Sequence, residues 1–151
     1  MRVRLIAVGQ RLPAWAQSAV AEYARRLPRG WRFELSELPA ARGEPERRRD
    51  DEGRRILRLA AGAELIACDQ LGQTLDTAGW ARALARWRQA GSSVALVIGG
   101  AEGLSEEVLR SSAARWSLSA LTLPHALARV LVVEQLYRAS TLLDGHPYHR
   151  G

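Results

Sequence analysis

The sequence predicts an α/β protein, a single domain over residues 1–151 with a mainly parallel sheet flanked by helices. Three observations carry this expectation. Apolar or alternating segments interchange with segments of helical period along the whole chain. Residues 94–98 are apolar and free of charge, as a strand covered on both faces by crossover helices must be. At 151 residues, with 47% hydrophobic and 25% charged content, the chain has the size and composition of one ordinary globular domain, and it shows neither repeat nor linker.

The elements follow in order. Arg2–Val8 reads as a strand from its β-branched and apolar content. Residues 13–27 follow as a helix, with Trp15, Ala16, Ala19, Tyr23 and Leu27 at helical spacing, and Pro28-Arg-Gly30 stops it. Residues 31–38 alternate Trp31, Phe33 and Leu35 with Arg32, Glu34 and Ser36, a strand with one wet face. Residues 39–46 are polar with proline and glycine, a mobile loop. Residues 46–60 read as a strongly charged helix interrupted by Gly53, its apolar face beginning at Ile56, Leu57 and Leu59. Residues 64–69 form a short buried strand. Thr77–Ala90 is an amphipathic helix with Thr77 as its N-cap and Trp80, Leu84 and Trp87 on one stripe. Ser105 caps a helix reaching about Ser112, with Glu106 and Glu107 well placed in its first turn. Residues 116–118 are the last strand and residues 126–143 the last helix. In that helix Leu127, Val130, Leu131, Val132, Val133, Leu136 and Leu142 spread over more than one face, leaving a narrow polar strip of Glu134, Gln135 and Arg138. A helix this broadly apolar must be covered on two sides. A second copy of the chain is the expected cover, giving a homodimer; a central buried helix is the alternative.

Charge narrows the partners. The net charge is +6, and all 22 basic residues are arginine, whose planar fork suits phosphates and stacked bases. A nucleic-acid partner is favoured by this balance. No RNP strand or GXXG loop is present, so binding would be built into a catalytic surface. No segment approaches the ~20 apolar residues of a membrane span, and the amino-terminal apolar run of about five residues is too short for a signal-peptide core. One cysteine, Cys68, excludes an internal disulfide. A cytoplasmic protein without membrane contact is expected.

The chemistry-bearing residues gather in the last third. Ile98-Gly-Gly-Ala-Glu-Gly103 follows the most apolar strand; its spacing is neither a dinucleotide fingerprint nor a phosphate loop, so it is either a tight turn or a place where a cofactor lies against the main chain. Ser119-Ala-Leu-Thr-Leu-Pro124 offers small side chains and open backbone groups that suit a flat ring such as adenine, or is an ordinary loop. His125 opens the last helix, as a capped helix-end histidine or as a base or ligand contact, with Arg129 one turn later on the same side. His146-Pro-Tyr-His-Arg150 is a disordered end or a functional tail. His125, His146 and His149 lack the spacing of a zinc site, so no metal is expected, and no G-x-S-x-G hydrolase signature occurs.

These motifs together closely resemble the RlmH-type family of ribosomal RNA methyltransferases, of the SPOUT class. The matching set is Ile98-Gly-Gly-x-x-Gly-Leu104, Ser117-Leu-Ser-x-Leu-Thr-Leu-Pro-His125, Arg129-Val-Leu, Glu134-x-Leu-Tyr-Arg138 and His146-Pro-Tyr-His-Arg150, with Leu5-Ile-Ala-Val-Gly9 and Glu22-Tyr-x-Arg-Arg-Leu27 near the start. The resemblance implies a parallel α/β sheet with a C-terminal trefoil knot, and a homodimer. It implies S-adenosylmethionine-dependent methylation of N3 of a pseudouridine in 23S ribosomal RNA of the large subunit, on the assembled ribosome. Carried over by residue, Gly99, Gly100, Leu118, Ser119, Ala120, Leu121, Thr122 and Leu123 would hold the cofactor beside Cys68, where the family commonly has leucine or another apolar residue. Tyr148, His149 and Arg150 match the catalytic end, which would reach a site shared between subunits, and His125 and Arg129 would stand near it. Arg150 or Arg129 would favour a developing anion, His149 would accept the N3 proton and Tyr148 would stack on the base or fix the tail. Arg25, Arg26 and residues 47–49 would meet phosphates or else form solvated helix faces. The loop at residues 40–46 is shorter than in many relatives. An inactive ribosome- or RNA-binding module and a methyltransferase for another RNA are the remaining readings.

Overall fold

The computed structural model describes residues 1–9 and 11–150. Five parallel strands form one sheet in the order β2-β1-β4-β3-β5. They are β1 (Arg2–Val8), β2 (Arg32–Leu38), β3 (Glu64–Thr74), β4 (Ser93–Ile98) and β5 (Ala114–Ser117). The helices are α1 (Ala14–Arg26), α2 (Pro45–Leu59), α3 (Thr77–Ala90), α4 (Glu106–Ser111) and α5 (His125–Asp144), and a short 3-10 helix, Pro147–Arg150, follows. The α/β class, the parallel sheet and the central place of β4 are as the sequence predicts.

Side-chain alternation divides the core into two layers. Val3, Leu5 and Ala7 of β1 face one cluster built with α1, α3 and α5, while Ile6 and Val8 face a second built with α2 and α4. This is the two-sided cover that a parallel sheet demands. The stripe of α3 is buried as expected: Trp80, Leu84 and Trp87 lie inward, with Trp80 and Trp87 both against Trp116 of β5. Helix α5 packs between α1 and α3, and Leu127 and Leu142 remain exposed on it. No helix among the described residues is long and apolar enough to cross a membrane.

Several local expectations are corrected. Trp15 does not belong to the inner stripe of α1: it is exposed, and Ala16 and Val20 take the buried face. Asp76, not Thr77, caps α3, its carboxylate accepting from the Gly79 amide at 2.7 Å, while the Thr77 hydroxyl donates to Gln135. Helix α2 is continuous through Gly53. That glycine is a notch: a Cβ there would collide with the hydroxyl of Ser105, whose side chain caps α4. Strand β3 runs five residues beyond the predicted residues 64–69, because its end pairs with β5 after a shift of register. Strand β5 spans Ala114–Ser117, starting two residues before the predicted position and ending one residue earlier.

Candidate functional site

The carboxyl ends of the strands open into a cleft of about 890 Å3, within the usual range for small-molecule sites. Its floor is the ends of β1, β4 and β3: Gly9, then Gly99 and Gly100, then Cys68 and Asp69. The segment after β5 forms one wall through Leu118, Ser119, Leu121, Thr122 and Leu123, and the first turn of α5 brings His125 and Arg129. Arg11, Leu12 and Pro13 close the β1 side. Of the sequence-predicted cofactor residues, Ala120 alone points elsewhere, exposed on the wall's outer side.

Two features suit this cleft to a flat heterocycle on a sugar. First, the wall presents open main chain. Ser117 Oγ donates to the Ser119 carbonyl, and Ser119 Oγ accepts from the Leu121 amide, which fixes the segment's shape. Among the described residues, no hydrogen bond engages the amides of Ala120, Thr122 or Leu123. Second, the floor is close-packed main chain with no room for side chains at its glycines. A Cβ at Gly99 would stand 2.8 Å from the Gly103 carbonyl, and one at Gly100 would stand 3.2 Å from both Glu52 Oε1 and Val8 Cγ1. Neither position admits a side chain without displacing its neighbours.

The first turn of α5 is tied to the floor by a chain of polar contacts. Arg129, 1% exposed, donates from Nε to His125 Nδ1 at 3.0 Å and pairs through Nη1 with Glu37 Oε2 at 2.9 Å. Since a guanidinium only donates, Nδ1 is the acceptor nitrogen, and Nε2 carries the proton that it donates to the Gly99 carbonyl at 2.9 Å. Burial lowers the His125 pKa below the ordinary histidine value, the Arg129 charge lowers it further, and the Gly99 carbonyl opposes both. The imidazole is therefore a neutral strut between α5 and the β4 end, with both nitrogens engaged. Glu52, on α2 and 5% exposed, plays a similar part opposite, accepting from the Ala41 amide at 2.9 Å beside Gly100.

Cys68 sits in the floor, and burial of its thiol pushes the pKa up to about 12, so it contributes packing surface rather than a nucleophile. No group of three or more histidine, cysteine or acidic residues that could hold a metal occurs among the described residues.

The tail lies elsewhere. Helix α5 ends at Gly145, and the chain doubles back so that Tyr148 OH donates to Glu134 Oε1 at 3.1 Å, with its ring 4.5 Å from that of Tyr137 and 4.8 Å below the Arg138 guanidinium. Burial, the bond to Tyr23 and the Glu134 charge all raise the Tyr148 pKa, which keeps the phenol protonated. Glu134 is two and a half turns along α5 from His125, about 14 Å of helix rise. Tyr148, His149 and Arg150 thus form an ordered 3-10 turn on the α1/α5 side and do not line the cleft of their own chain.

Sequence reasoning missed Glu37, Glu52 and the Asp69–Gln70 part of the cleft lining. A signal existed for Glu52, which stands four residues before the buried Ile56 on the same helical face. One existed for Glu37 too: alternation places this carboxylate on the apolar face of β2, with Phe33 and Leu35.

Comparison with known proteins agrees with this geometry. The protein named Ribosomal RNA large subunit methyltransferase H of Alkalilimnicola ehrlichii is 48% identical over 154 residues, 99% of each chain. That of Nitrosococcus oceani is 47% identical over 155 residues, again 99% of each. Among solved structures, a Haemophilus influenzae "probable methylase family protein" superposes with a TM-score of 0.61 at 15% identity, over 97% of this chain and 69% of its own. The SpoU methyltransferase AviRb of Streptomyces viridochromogenes, in complex with the cofactor AdoMet, gives 0.50 at 16%, over 94% and 61%. These two share the fold. Residues 1–149 match the family described as "Predicted SPOUT methyltransferase", and the chain belongs to that family.

Proposed function

We propose that this protein methylates N3 of a pseudouridine in 23S ribosomal RNA of the large subunit, using S-adenosylmethionine, on the assembled ribosome in the cytoplasm. In this reading it acts as a homodimer whose C-terminal third is threaded as a trefoil knot. The observation that carries the proposal is a glycine-floored cleft, with unengaged main-chain amides on its wall, in a chain alike over its whole length to proteins named for large-subunit ribosomal RNA methylation. The adenosylmethionine complex of AviRb, a protein of the same fold, supports the choice of donor.

When bound, the donor supplies an electrophilic methyl group for in-line displacement. The chain's own residues do the rest. The amides of Thr122 and Leu123 take the edge of the adenine ring, while Gly99 and Gly100 form the floor on which the cofactor lies, with Cys68, Leu118, Ser119 and Leu121 packed around it. His125 and Arg129 hold that floor in register through the Gly99 carbonyl. Because the tail stands about 14 Å of helix away from the cleft of its own chain, its catalytic part is played in the cleft of a second copy. There Arg150 favours the anion developing on the base, His149 accepts the N3 proton and Tyr148 positions the ring. The exposed Leu127 and Leu142 on α5, with Trp15 on α1, give the second copy an apolar surface to cover.

The test is Arg150→Ala. Methylation of ribosomes lacking this modification should fall about a hundredfold or more, while calorimetric affinity for S-adenosylmethionine stays near wild type. Mixing Arg150→Ala with a variant whose glycine floor is disrupted by Gly99→Val should restore activity through mixed dimers. Wild-type turnover in Arg150→Ala would refute the assignment of the tail, and a folded wild-type protein that binds no S-adenosylmethionine would refute the enzyme reading.

A further inference from the structure

Strand β3 makes an excursion that the hydrophobic pattern hides. Cys68 and Gln73 are both in register with Trp116 of β5, so residues 69–72 leave the sheet and return to the same place. The excursion is held at both ends. Gln70 Nε2 donates to Thr122 Oγ1 at 3.1 Å, tying it to the wall of the cleft. Gly72 packs so closely on β5 that a Cβ there would lie 2.6 Å from the Arg115 carbonyl. Asp69 is thereby fixed in the cleft. It is the one carboxylate among the described residues that line it, and it makes no hydrogen bond or ion pair with them. A half-buried carboxylate held in place without a partner is an acceptor waiting for donors from a ligand.

Its position selects which donors. In register Cys68 stands beside Ile98, and Asp69, the next residue, lines the cleft together with Gly99 and Gly100. In sheet order β3 lies between β4 and the β5 end that leads into the wall. If the wall takes adenine, the group joined directly to the ring falls about one strand spacing away, ~4.8 Å, which is the place of Asp69. That group is the ribose, whose vicinal hydroxyls offer two donors to one carboxylate. The amino-acid end would then lie further along, toward Gly9 and Arg11, which line the β1 side. We propose that Asp69 accepts hydrogen bonds from the 2′- and 3′-hydroxyls of the cofactor ribose, and is a specificity-determining residue for a ribonucleoside in the cleft. This rests on the cofactor reading above and adds a contact that the cleft's main chain does not supply.

The experiment compares wild type and Asp69→Asn by calorimetry with two probes. S-Adenosylhomocysteine carries the ribose and the amino acid; 5′-methylthioadenosine carries the ribose without the amino acid. Asp69→Asn should weaken both by a similar factor, about tenfold or more. In the wild type, the 2′-deoxy form of 5′-methylthioadenosine should bind correspondingly more weakly, and in Asp69→Asn removal of that hydroxyl should matter little. The wild-type comparison stands even if the variant folds poorly. Weakening of S-adenosylhomocysteine alone would overturn the proposal, because it would put the carboxylate at the ammonium group. Unchanged affinity for both probes, with or without lost methylation, would overturn it too. Failure of the wild type to bind either probe would refute the cofactor reading itself, and the ribose contact with it.

Discussion

Replacing Gly53 by alanine tests whether packing or helix propensity governs α2. In a helix interior alanine is favoured over glycine by about 1 kcal/mol, so propensity alone makes the change stabilising. The structure reverses the sign. The added Cβ would run into Ser105 Oγ, lie 3.0 Å from Ser105 Cβ and touch Val108 Cγ2 at 3.4 Å. Ser105 has little room to retreat: it is 2% exposed, and its hydroxyl accepts from the Val108 amide at 3.2 Å as the cap of α4. Swinging the hydroxyl aside forfeits the cap, about 1 kcal/mol, and separating α2 from α4 costs about 1–3 kcal/mol as overpacking. The net expectation is a loss of about 1–3 kcal/mol, a fall in melting temperature of roughly 3–10 °C for a chain of this length. Urea denaturation followed by tryptophan fluorescence measures it. Ser105→Gly alone should cost only a few tenths of a kcal/mol, and in that background Gly53→Ala should turn stabilising. A Gly53→Ala protein more stable than wild type, with Ser105 intact, would refute the notch.

Two further perturbations read the cleft. The folded chain holds His125 neutral, with its pKa below the ordinary value of 6.5, so between the folded and unfolded pKa the unfolded chain binds more protons. Stability should therefore decline as pH falls below about 6.5, and His125→Gln should flatten that decline in urea titrations between pH 5 and 8; an unchanged slope would refute the strut. Cys68, with its thiol pushed up to about 12 from an ordinary 9.0, should hold about a thousandfold less thiolate at pH 8. Ellman's reagent should then label it at least about a hundredfold faster in urea than in the folded protein, and reaction within seconds in the native state would contradict its burial.

Residues whose neighbours in sequence are also their neighbours in space were legible from the chain alone. The free run at residues 94–98 announces a central strand because burial on both faces leaves no place for charge, and Trp80, Leu84 and Trp87 announce a helix because three- and four-residue spacings stack on one side. What failed was decided by partners far along the chain. Gly53 looks like a break until Ser105, fifty-two residues later, arrives against it. Thr77 looks like a cap as good as Asp76, and only Gln135 across the helix pair draws its hydroxyl away. Trp15 carries the right period but on the wrong side, since Ala16 and Val20 are the residues of α1 that enter the core shared with β1 and α5.

The same division runs through the candidate site. Its glycines and its open loop were readable because a strand end followed by Gly-Gly, and a small-residue segment before proline, advertise backbone geometry locally. The roles of the acidic members were not readable, because each acquires its role from a distant element. Glu37 is out of place on the apolar face of β2, beside Phe33 and Leu35, until a buried arginine ninety-two residues on gives it a partner. Asp69 stands at the apparent end of a strand, and nothing in its neighbourhood announces that β3 goes on to pair with β5. That continuation has a physical cause: Gly72 is the only residue type that can lie against the Arg115 main chain, so the excursion returns there and leaves Asp69 facing the floor glycines. A search for carboxylates by sequence motif would have passed it by, since its partner is a geometry and not a spacing. Conversely, the tail's residues were legible as chemistry yet silent as to place, because a 3-10 turn docked on Tyr137 and Glu134 keeps them two and a half turns from the cleft that their chemistry would serve. The chain thus carries the two halves of its reading at opposite ends of one helix, and the proposed function calls on a second copy because no rotation of side chains spans that length of α5.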